Sequence, residues 1–328
     1  MNRQNGEKMK EILLACDLDN TLIHSWKHRK EGDLCIEHIG EKEQGYMSRK
    51  AAELYSSLPE NILLVPVTTR SVDQYRRIRW PGSREPDLAV TTNGAILLEP
   101  RADQGDDTIF PGLHDGTGDK TIFPCLHDES GDKTILSCLR MEYEENDMGG
   151  PVQRDQGSDF SMILHDWIRQ SQREAAPCRQ AMDELRGILL ASGHYLRVRM
   201  VDDFYLFAYC EEGKDPKDAV PESAFRSGLQ IVSSGRKIYF LPPAFNKGEA
   251  VRRLEGLLQP PRILAAGDTE IDLPMAERAD RMFIPEKLYR SCGSDLPQTV
   301  RRKLTVCPEG ADFSEFVLRE AVREAEQV

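Results

Sequence analysis

The sequence predicts an α/β fold in which a Rossmann-like parallel sheet carries a smaller, inserted α+β domain. Short apolar runs that end abruptly in polar residues begin near residues 12, 62 and 262, and helical segments alternate with the first two. Such alternation is typical of parallel strands joined by right-handed crossovers. Between the second and third runs the pattern changes to paired strands, which indicates a separate domain.

The first strand is predicted at residues 12–16, where the run Ile-Leu-Leu-Ala-Cys stops at Asp17. A short apolar run bounded by polar residues is typical of a strand that is buried on both faces of a parallel sheet. The strand therefore delivers two carboxylates, those of Asp17 and Asp19, to the loop that follows it.

Further strand and helix units are predicted downstream. Residues 49–58 have a helical pattern, an apolar strand leads to Thr68, and a second helix covers residues 71–79. A short strand at residues 88–91 then leads into the turn that begins at Thr92. In open α/β sheets of this kind, functional residues lie where the strands end.

An internal repeat with a period of thirteen residues follows. Residues 108–120 and 121–133 are two near copies, and a third, diverged copy begins at Thr134. So few units of this length do not make a stacked solenoid. We expect an insert at about residues 103–146 that forms a solvated loop or hairpin expansion, with a metal site built from its His and Asp residues as the alternative.

Helix and strand patterns in the middle of the chain indicate the inserted α+β domain. The pair Asp202-Asp203 between two strands of alternating polarity is a hairpin signal. We predict a cap domain at residues 86–244, which includes the repeat insert, and a core formed by residues 1–85 and 245–328. Helices are predicted at 161–192 and 222–228, and strands at 195–201, 204–209, 230–234 and 237–241.

The formal charge of the 328-residue chain is −12, but residues 101–160 carry 14 acidic and 5 basic side chains and so hold most of it. An acidic balance disfavours a nucleic-acid backbone or an anionic membrane as the main partner, because both repel it. Apolar stretches fall short of the roughly 20 residues of a membrane helix, and residues 1–11 do not resemble a secretory signal. The eight cysteines are scattered singly, which favours a reduced, cytoplasmic protein.

Four carboxylates are expected to meet at one edge of the sheet. Asp17 and Asp19 follow the first strand, while Asp268 and Asp272 flank the end of the strand at residues 262–266. Such a group repels itself unless it holds a cation, and hard oxygen ligands that leave room for water and a phosphate suit Mg²⁺. A carboxylate that attacks phosphorus forms an aspartyl-phosphate, and a nearby lysine and threonine would stabilise the developing charge.

Taken singly, these motifs have ordinary explanations. An Asp-x-Asp pair also occurs in glycosyltransferases that hold a nucleotide-sugar metal, and Thr68 and Lys247 could be a strand end and a surface lysine. Gly267 to Asp272 could be an acidic helix cap. Their order along the chain, each at a predicted strand end or helix start, favours a single site.

In that order the motifs resemble those of the haloacid dehalogenase (HAD) superfamily of phosphohydrolases. Its DxDxT motif matches the segment from Asp17 to Thr21, and its GDxxxD motif matches the segment from Gly267 to Asp272. Its second motif matches Thr68, and its lysine matches Lys247. The resemblance extends over the chain outside the repeat and implies the HAD core fold.

The resemblance also implies the roles of these residues. Asp17 would be the nucleophile and Asp19 the general acid and base. Mg²⁺ is implied as the cofactor, bound by the side chains of Asp17, Asp268 and Asp272 and by the backbone carbonyl of Asp19. Contacts with the phosphoryl group are implied for Thr68 and Lys247, with Asn93 in a turn near them.

The inserted domain lies between the second motif and the lysine, which resembles a type IIB cap of the branch that includes sucrose-phosphate phosphatase and mannosyl-phosphoglycerate phosphatase. Two residues depart from the family pattern, because Thr69 and Ile271 stand where many relatives have glycine and asparagine. Candidates for substrate selection lie on or between the cap strands: Arg197, Arg199, Asp202, Asp203, Arg236 and Lys237.

The residues and the resemblance together predict a Mg²⁺-dependent phosphatase that hydrolyses a small phosphorylated metabolite through an aspartyl-phosphate, with a sugar phosphate favoured. Three alternatives remain open. One is a HAD-fold binding or regulatory module with little turnover, and another is a phosphomutase. The third is metal-dependent glycosyl transfer, which leaves Lys247 and the GDxxxD segment unexplained.

Overall fold

The structure is a computed structural model that describes residues 11–83, 85–99 and 156–327, so the repeat insert lies outside the described residues. Within them the chain forms a five-stranded parallel sheet, a four-stranded sheet, a three-stranded sheet and a two-stranded hairpin. The predicted α/β class, with a Rossmann-like core and a separate cap, is confirmed. The domain boundaries at residues 86 and 244 stay predictions.

The secondary structure elements are numbered in chain order. The strands are β1 (Ile12–Cys16), β2 (His24–Ser25), β3 (Leu34–Ile39), β4 (Lys42–Met47), β5 (Ile62–Pro66), β6 (Ala89–Thr91), β7 (Ile96–Leu98), β8 (Tyr195–Val201), β9 (Tyr205–Cys210), β10 (Gln230–Ser234), β11 (Lys237–Leu241), β12 (Arg262–Ala266), β13 (Arg281–Pro285) and β14 (Leu304–Cys307). The α-helices are α1 (Arg49–Ser56), α2 (Val72–Tyr75), α3 (Gln156–Ala175), α4 (Arg179–Ala191), α5 (Lys247–Leu258), α6 (Met275–Arg278), α7 (Glu286–Cys292), α8 (Gln298–Arg301) and α9 (Phe313–Ala325).

The parallel sheet has the strand order β14-β13-β12-β1-β5. Ile12 at the start of β1 lies opposite both Arg262 and Ile62, and every other residue of β1 likewise has a partner on each side. All five residues of β1 are buried, because apolar clusters cover both faces of the sheet. This explains why its sequence is an uninterrupted apolar run rather than an alternating one.

Helices supply the two apolar layers that cover this sheet. On one face, Tyr55 of α1 and Leu318 of α9 belong to the buried cluster. On the other face, Trp167 of α3 and Leu254 of α5 do so. Burial of each large apolar side chain contributes about 1.5–3 kcal/mol, so these layers fix the sheet and thereby the loops at its edge.

The hairpin of β6 and β7 packs beside the end of β5. Val67 and Val90 form a parallel bridge, and the amide of Thr68 donates to the carbonyl of Val90 at 2.9 Å. The hairpin turn contains Thr92 and Asn93 with φ values of 54° and 53°. This backbone conformation is uncommon for residues other than glycine, so the turn is an ordered and specific feature.

A three-stranded antiparallel sheet, here called the flap, spans residues 24–47 and was not predicted. Its strand order is β2-β4-β3, and Gly40, with a φ of 59°, lies at the turn between β3 and β4. The strands are short, and β4 begins with three polar residues and a glycine, so their apolar alternation is weak. The flap follows directly after the segment that contains Asp17 and Asp19.

The predicted helix at residues 71–79 is wrong in length, because α2 ends at Tyr75. Beyond it, Ile78 forms an antiparallel bridge with Glu37 of β3. Extended pairing with the flap therefore replaces the last turns of the predicted helix. Because the flap itself was not predicted, this competing interaction could not be anticipated.

The cap sheet is antiparallel in the order β10-β11-β9-β8, and α4 packs on it. The predicted hairpin of β8 and β9 is confirmed, with Asp202 and Asp203 at φ values of 46° and 62°. Val201 pairs with Tyr205, so three residues form the loop, and the amide of Phe204 donates to the carbonyl of Val201 across the two residues with positive φ. The helical region at 161–192 is divided into α3 and α4, because Pro177 lies in a 3₁₀ turn between them. None of the described helices combines the length and apolarity needed to cross a bilayer.

Candidate active site

Three neighbouring strands of the parallel sheet lead into polar residues. β1 is followed by Asp17, β5 leads to Thr68, and β12 leads to Asp268, with β1 between the other two. Parallel strands end at the same edge of a sheet, so these residues share one edge. Lys247, the first residue of α5, is buried at this edge and contacts Asp17 directly.

Lys247 is held between two carboxylates. Its Nζ atom donates to Oδ1 of Asp272 at 2.5 Å and to Oδ1 of Asp17, and its side chain is 1% exposed. The helix start is fixed because Oδ1 of Asn246 accepts a hydrogen bond from the amide of Glu249 at 2.8 Å. Burial by itself lowers the pKa of Lys247, but the two carboxylates outweigh it and raise that pKa above its ordinary value. Lys247 is therefore charged.

Asp272 is the most completely bonded carboxylate of the group. Its Oδ2 atom accepts hydrogen bonds from the amides of Asp268 and Thr269, at 3.1 and 2.9 Å, and from Oγ1 of Thr269 at 2.9 Å. Gly267 lies so close that a Cβ atom there would be 2.2 Å from the Cβ of Asp272. The glycine of the GDxxxD segment is thus required for the turn that folds Asp272 back onto the strand end.

The carboxylates of Asp17, Asp268 and Asp272 form a cluster in which one oxygen of each lies within 4.8 Å of the others. Burial, followed by the charge of Asp272 and Asp19, raises the pKa of Asp17 to about 7 in spite of Lys247. Burial and the charges of Asp17 and Asp272 raise the pKa of Asp268 to about 8. One ammonium therefore does not balance the three carboxylates, and hard oxygen ligands in this number and spacing fit Mg²⁺.

The side chain of Asp19 points to a different partner, Arg70, which the sequence analysis did not identify. Nη2 and Nε of Arg70 donate to the two carboxylate oxygens of Asp19 at 2.8 and 2.9 Å. Burial would raise the pKa of Asp19, but the charge and hydrogen bonds of Arg70 lower it. Asp19 is not a member of the carboxylate cluster, which is compatible with the implied contribution of its carbonyl rather than its side chain.

Arg70 is in turn fixed by the flap. Its Nη1 atom donates to Oε2 of Glu37 at 3.0 Å, and Glu37 is 1% exposed. Arg77 donates to the other carboxylate oxygen of Glu37 at 3.1 Å. The flap therefore supplies the group that sets the position of Arg70 and, through it, of Asp19.

Thr68 and Asn93 lie together beside this cluster of strand ends. Oγ1 of Thr68 accepts a hydrogen bond from the amide of Arg70 at 3.1 Å, and the carbonyl of Thr68 accepts one from the amide of Asn93 at 2.9 Å. The Asn93 side chain is fully buried and donates to the carbonyl of Phe245 at 2.9 Å. Its Oδ1 atom is buried and has no hydrogen-bond partner within the described part of the chain.

Two cap residues hydrogen-bond to the core beside Thr68. The hydroxyl of Tyr205 donates to the carbonyl of Thr69 at 2.6 Å. Asp202 accepts a hydrogen bond from the amide of Val72 at 3.1 Å and another from the hydroxyl of Thr92. The cap hairpin is thus anchored on the loop that follows β5 and on the turn that carries Asn93.

Most of the remaining cap candidates contact other residues of the cap. Arg236 stacks on Tyr209 and Arg199 on Phe207, so their guanidinium groups are engaged within the cap. The carboxylate of Asp203 lies 3.5 Å from Arg179. Lys237 is exposed, and the charges of Asp19 and Asp17 help to raise its pKa, after the larger effect of Tyr239. Lys237 is therefore near enough to Asp19 and Asp17 for their charges to act on it, whereas Arg197 is an exposed residue of β8.

A cavity of about 320 Å³ lies between the cap strand β10 and the core. Asn93 and Asn246 line it from the strand ends, and Glu270 and Ile271 line it from the GDxxxD segment. The cavity therefore places Ile271, one of the departures from the family pattern, where a bound molecule would touch it. Cap residues that line it include Lys217, Gln230 and Ser233.

The core sheet, its carboxylate-bearing edge and the inserted antiparallel sheet define the HAD fold, with a cap inserted between Thr68 and Lys247. The structure is similar to that of the sucrose-phosphatase of Synechocystis sp. PCC6803 in complex with sucrose and phosphate. The TM-score is 0.54 at 17% identity, over 97% of this chain and 99% of that one.

A protein from Thermoplasma acidophilum has a similar structure, with a TM-score of 0.50 at 13% identity, over 98% of this chain and all of that one. At these identities the likeness concerns the fold. No protein-family model and no curated protein matches the sequence.

Proposed function

We propose that the protein is a phosphatase that transfers the phosphoryl group of a small phosphorylated metabolite to Asp17 and then to water. The observation that carries this proposal is the position of Lys247 between Asp17 and Asp272, with Asp268 beside them. A buried cation among three carboxylates at a strand edge provides a nucleophile and an anion-binding group side by side.

Asp17 is the proposed nucleophile because it follows the central β1 strand and its Oδ1 atom contacts Lys247. Its other oxygen, Oδ2, lies 3.5 Å from the hydroxyl of Thr21 and has no stronger partner in the described residues. In the first step a bond forms between a carboxylate oxygen of Asp17 and phosphorus while the bond from phosphorus to the leaving oxygen breaks. Lys247 offsets the negative charge of the phosphoryl oxygens in this step.

Asp19 is the proposed acid and base. It would give a proton to the leaving oxygen in the first step and take one from the attacking water in the second. In the second step the water oxygen bonds to phosphorus while the bond from phosphorus to Asp17 breaks, which frees the carboxylate and releases inorganic phosphate. Arg70 fixes the direction of the Asp19 carboxylate through two hydrogen bonds and lowers its pKa, which supports the role of Asp19 as base in the second step.

Mg²⁺ is the proposed cofactor, and Asp17, Asp268 and Asp272 would hold it together with the carbonyl of Asp19. The raised pKa values of Asp17 and Asp268 support this assignment, because burial, followed by the neighbouring carboxylates, disfavours their charged forms and a bound cation would offset that cost. When bound, Mg²⁺ supplies charge neutralisation and polarisation of the phosphoryl group. Thr68 and Lys247 are proposed to bind the phosphoryl oxygens, with Asn93 nearby.

The proposed substrate class is a sugar phosphate. The cavity near the site is lined by amide, hydroxyl and carboxylate side chains together with apolar ones such as Ile231 and Leu241, so it offers both hydrogen bonds and apolar contacts to a sugar. We also propose a reducing compartment, the cytoplasm, because the six cysteines of the described residues are free thiols.

The experiment that tests the proposal measures inorganic phosphate released from a generic aryl phosphate and from a panel of phosphorylated metabolites, with and without Mg²⁺. We expect Mg²⁺-dependent release that falls about 10³-fold or more in Asp17→Asn, because the nucleophile is lost. The matched control is Asp295→Asn, an exposed aspartate outside the site.

Three results would contradict the proposal. Activity that survives in Asp17→Asn would exclude the aspartyl-phosphate route. Phosphate that moves within a sugar without release would identify a phosphomutase, and absence of turnover on every ester tested would favour a binding module.

A further inference from the structure

A second group of metal-binding side chains lies on the flap, apart from the carboxylate cluster. Cys35 and His38 belong to β3, and Glu43 belongs to β4. One ligand atom from each lies within 4.8 Å of the others. His38 and Glu43 are exposed and Cys35 is half-buried, so the group is accessible to solvent.

An irregularity in the flap brings Cys35 and His38 to the same side of β3. In a regular strand, residues three positions apart point to opposite faces. Here the pairing with β4 shifts on either side of Glu37, and Ile36 and Glu37 are both buried in succession. This bulge restores Cys35 and His38 to the solvent-facing side. Bulges of this kind commonly redirect side chains at functional positions.

The separation of the two side chains matches what zinc requires. Bonds of about 2.3 Å to sulfur and about 2.0 Å to nitrogen at a tetrahedral angle place the two ligand atoms about 3.5 Å apart. The Sγ atom of Cys35 lies 3.7 Å from Nε2 of His38. Zinc could therefore join the two side chains with little movement of the backbone.

Glu43 completes the group from the neighbouring strand. It lies directly opposite His38 in the pairing of β3 with β4. Its Oε2 atom accepts hydrogen bonds from the hydroxyl of Tyr46 at 2.7 Å and from Arg29 at 3.1 Å. These contacts hold the carboxylate near the other two ligands while the other oxygen, Oε1, is left to a metal.

We propose that Cys35, His38 and Glu43 bind a zinc ion on the flap, with water as the fourth ligand. A thiolate, an imidazole and a carboxylate form a donor set suited to Zn²⁺ and unlike the all-oxygen set at the sheet edge. The Cys35 thiol donates to the carbonyl of Glu37 at 3.4 Å, so zinc binding releases this proton to solvent and frees that carbonyl.

The position of the zinc site links it to Arg70. Glu37 lies between Cys35 and His38 in the sequence and points inward, to Arg70 and Arg77. A zinc ion held by residues on both sides of Glu37 fixes the backbone that presents its carboxylate. Zinc bound at this site therefore holds the flap in the position in which Glu37 contacts Arg70.

The test measures zinc bound by the full chain after dialysis, in excess Mg²⁺ so that the oxygen ligands at the sheet edge are occupied. Cobalt is used in parallel, because a thiolate ligand gives a charge-transfer band that oxygen ligands do not. The variants are Cys35→Ser and His38→Gln. Cys292→Ser, which alters another partly buried free cysteine, is the matched control.

We expect one tightly bound zinc ion per chain and a cobalt charge-transfer band in the unmodified protein and in Cys292→Ser. Both are lost in Cys35→Ser, and the zinc ion is lost in His38→Gln, an exposed position where the substitution leaves the fold intact. A cobalt spectrum without the band, or zinc binding that persists in both flap variants, overturns the proposal.

Discussion

The guanidinium of Arg70 holds both carboxylate oxygens of Asp19, through Nη2 at 2.8 Å and Nε at 2.9 Å. The two residues are 51 positions apart, and each follows a strand of the parallel sheet. Glu37 of the flap holds Arg70 from its other side. The proposed acid and base is therefore oriented by a chain of ion pairs that begins in the flap.

Replacement of Arg70 by methionine tests this relationship. Arg70 lowers the pKa of Asp19, so its removal raises that pKa. Asp19 must be deprotonated to take a proton from water in the second step, so the acidic limb of the pH profile of kcat moves to higher pH. The loss of orientation lowers kcat about 10²-fold. The measurement is phosphate release from an aryl phosphate across pH 4 to 9.

The matched control is Arg77→Met, because Arg77 also contacts Glu37 but does not contact Asp19. We expect it to keep the acidic limb of the parent protein and most of its kcat. An acidic limb that is the same in Arg70→Met and in the parent would show that Arg70 does not act through the protonation of Asp19.

Much of the core was predictable because its signals are local. β1, β5 and β12 are buried parallel strands, so each is an apolar run that stops at a polar residue. The hairpin of β8 and β9 was predictable because Asp202 and Asp203 mark the turn. Lys247 was found through the order of the motifs, and the structure places it in contact with Asp17 and Asp272.

The missed features depend on contacts that are distant in the sequence. Arg70 becomes a site residue only because Asp19 and Glu37 lie on either side of it, and neither is near it along the chain. The flap was missed because Cys35 to Ile39 has a bulge that breaks the alternation of buried and exposed residues. Gly40, at the turn between β3 and β4, is the signal that could have indicated a hairpin, but the residues that follow it are poor strand formers.

Replacement of Lys247 by methionine is expected to destabilise the metal-free protein by about 3 kcal/mol at pH 7. Lys247 is buried between Asp17 and Asp272, and removal of one partner of a buried ion pair leaves uncompensated charge. Urea unfolding measures the change. Lys50→Met, an exposed lysine on α1, is the control and should change the free energy of unfolding by less than about 0.5 kcal/mol.

A smaller loss in Lys247→Met when Mg²⁺ is present is also expected, because the metal supplies part of the missing positive charge. If Lys247→Met were as stable as Lys50→Met in the metal-free state, the ion pairs of Lys247 would contribute nothing to folding.

The stability of the metal-free protein should fall as pH rises from about 5 to about 8. The pKa of Asp17 is raised to about 7 and that of Asp268 to about 8, so the folded chain holds protons in this range that the unfolded chain has released. When the folded state binds more protons, the free energy of unfolding decreases with rising pH. Mg²⁺ binds the deprotonated carboxylates, so its stabilising effect should be larger at pH 8 than at pH 5.5.

Thermal unfolding at both pH values, with EDTA and with Mg²⁺, measures these two effects. Asp268→Asn removes one of the two carboxyl groups with a raised pKa, so it should weaken the pH dependence of the stability of the metal-free protein. Equal stabilisation by Mg²⁺ at pH 5.5 and pH 8 would indicate that the metal does not bind this cluster.

Replacement by alanine of two glycines of α5 should change the stability of the protein in opposite directions. A Cβ atom on Gly248 would lie 2.5 Å from the backbone carbonyl oxygen of Pro274, whereas one on Gly256 has nothing within 4 Å. Gly248→Ala should destabilise the protein by about 2 kcal/mol and lower turnover, because it displaces the helix turn that carries Lys247. Gly256→Ala should stabilise it by about 0.5–1 kcal/mol, since alanine favours a helix.

Chemical denaturation of the two variants in parallel makes this comparison within one helix. A Gly248→Ala protein with unchanged stability and turnover would mean that α5 can move away from Pro274 without cost to the site.

The hydrogen bonds that anchor the cap hairpin limit how the cap of this chain can be replaced by another cap. Thr92 adopts a backbone conformation that a β-branched residue rarely takes, and its hydroxyl is bonded to Asp202 of the cap. Asp202 also accepts a hydrogen bond from the amide of Val72, and the hydroxyl of Tyr205 donates one to the carbonyl of Thr69. Cap and core are therefore not independent modules. A recombination that brings in a foreign cap must keep Asp202 and Tyr205, or lose the hydrogen bonds that join the cap hairpin to Thr92, Val72 and Thr69.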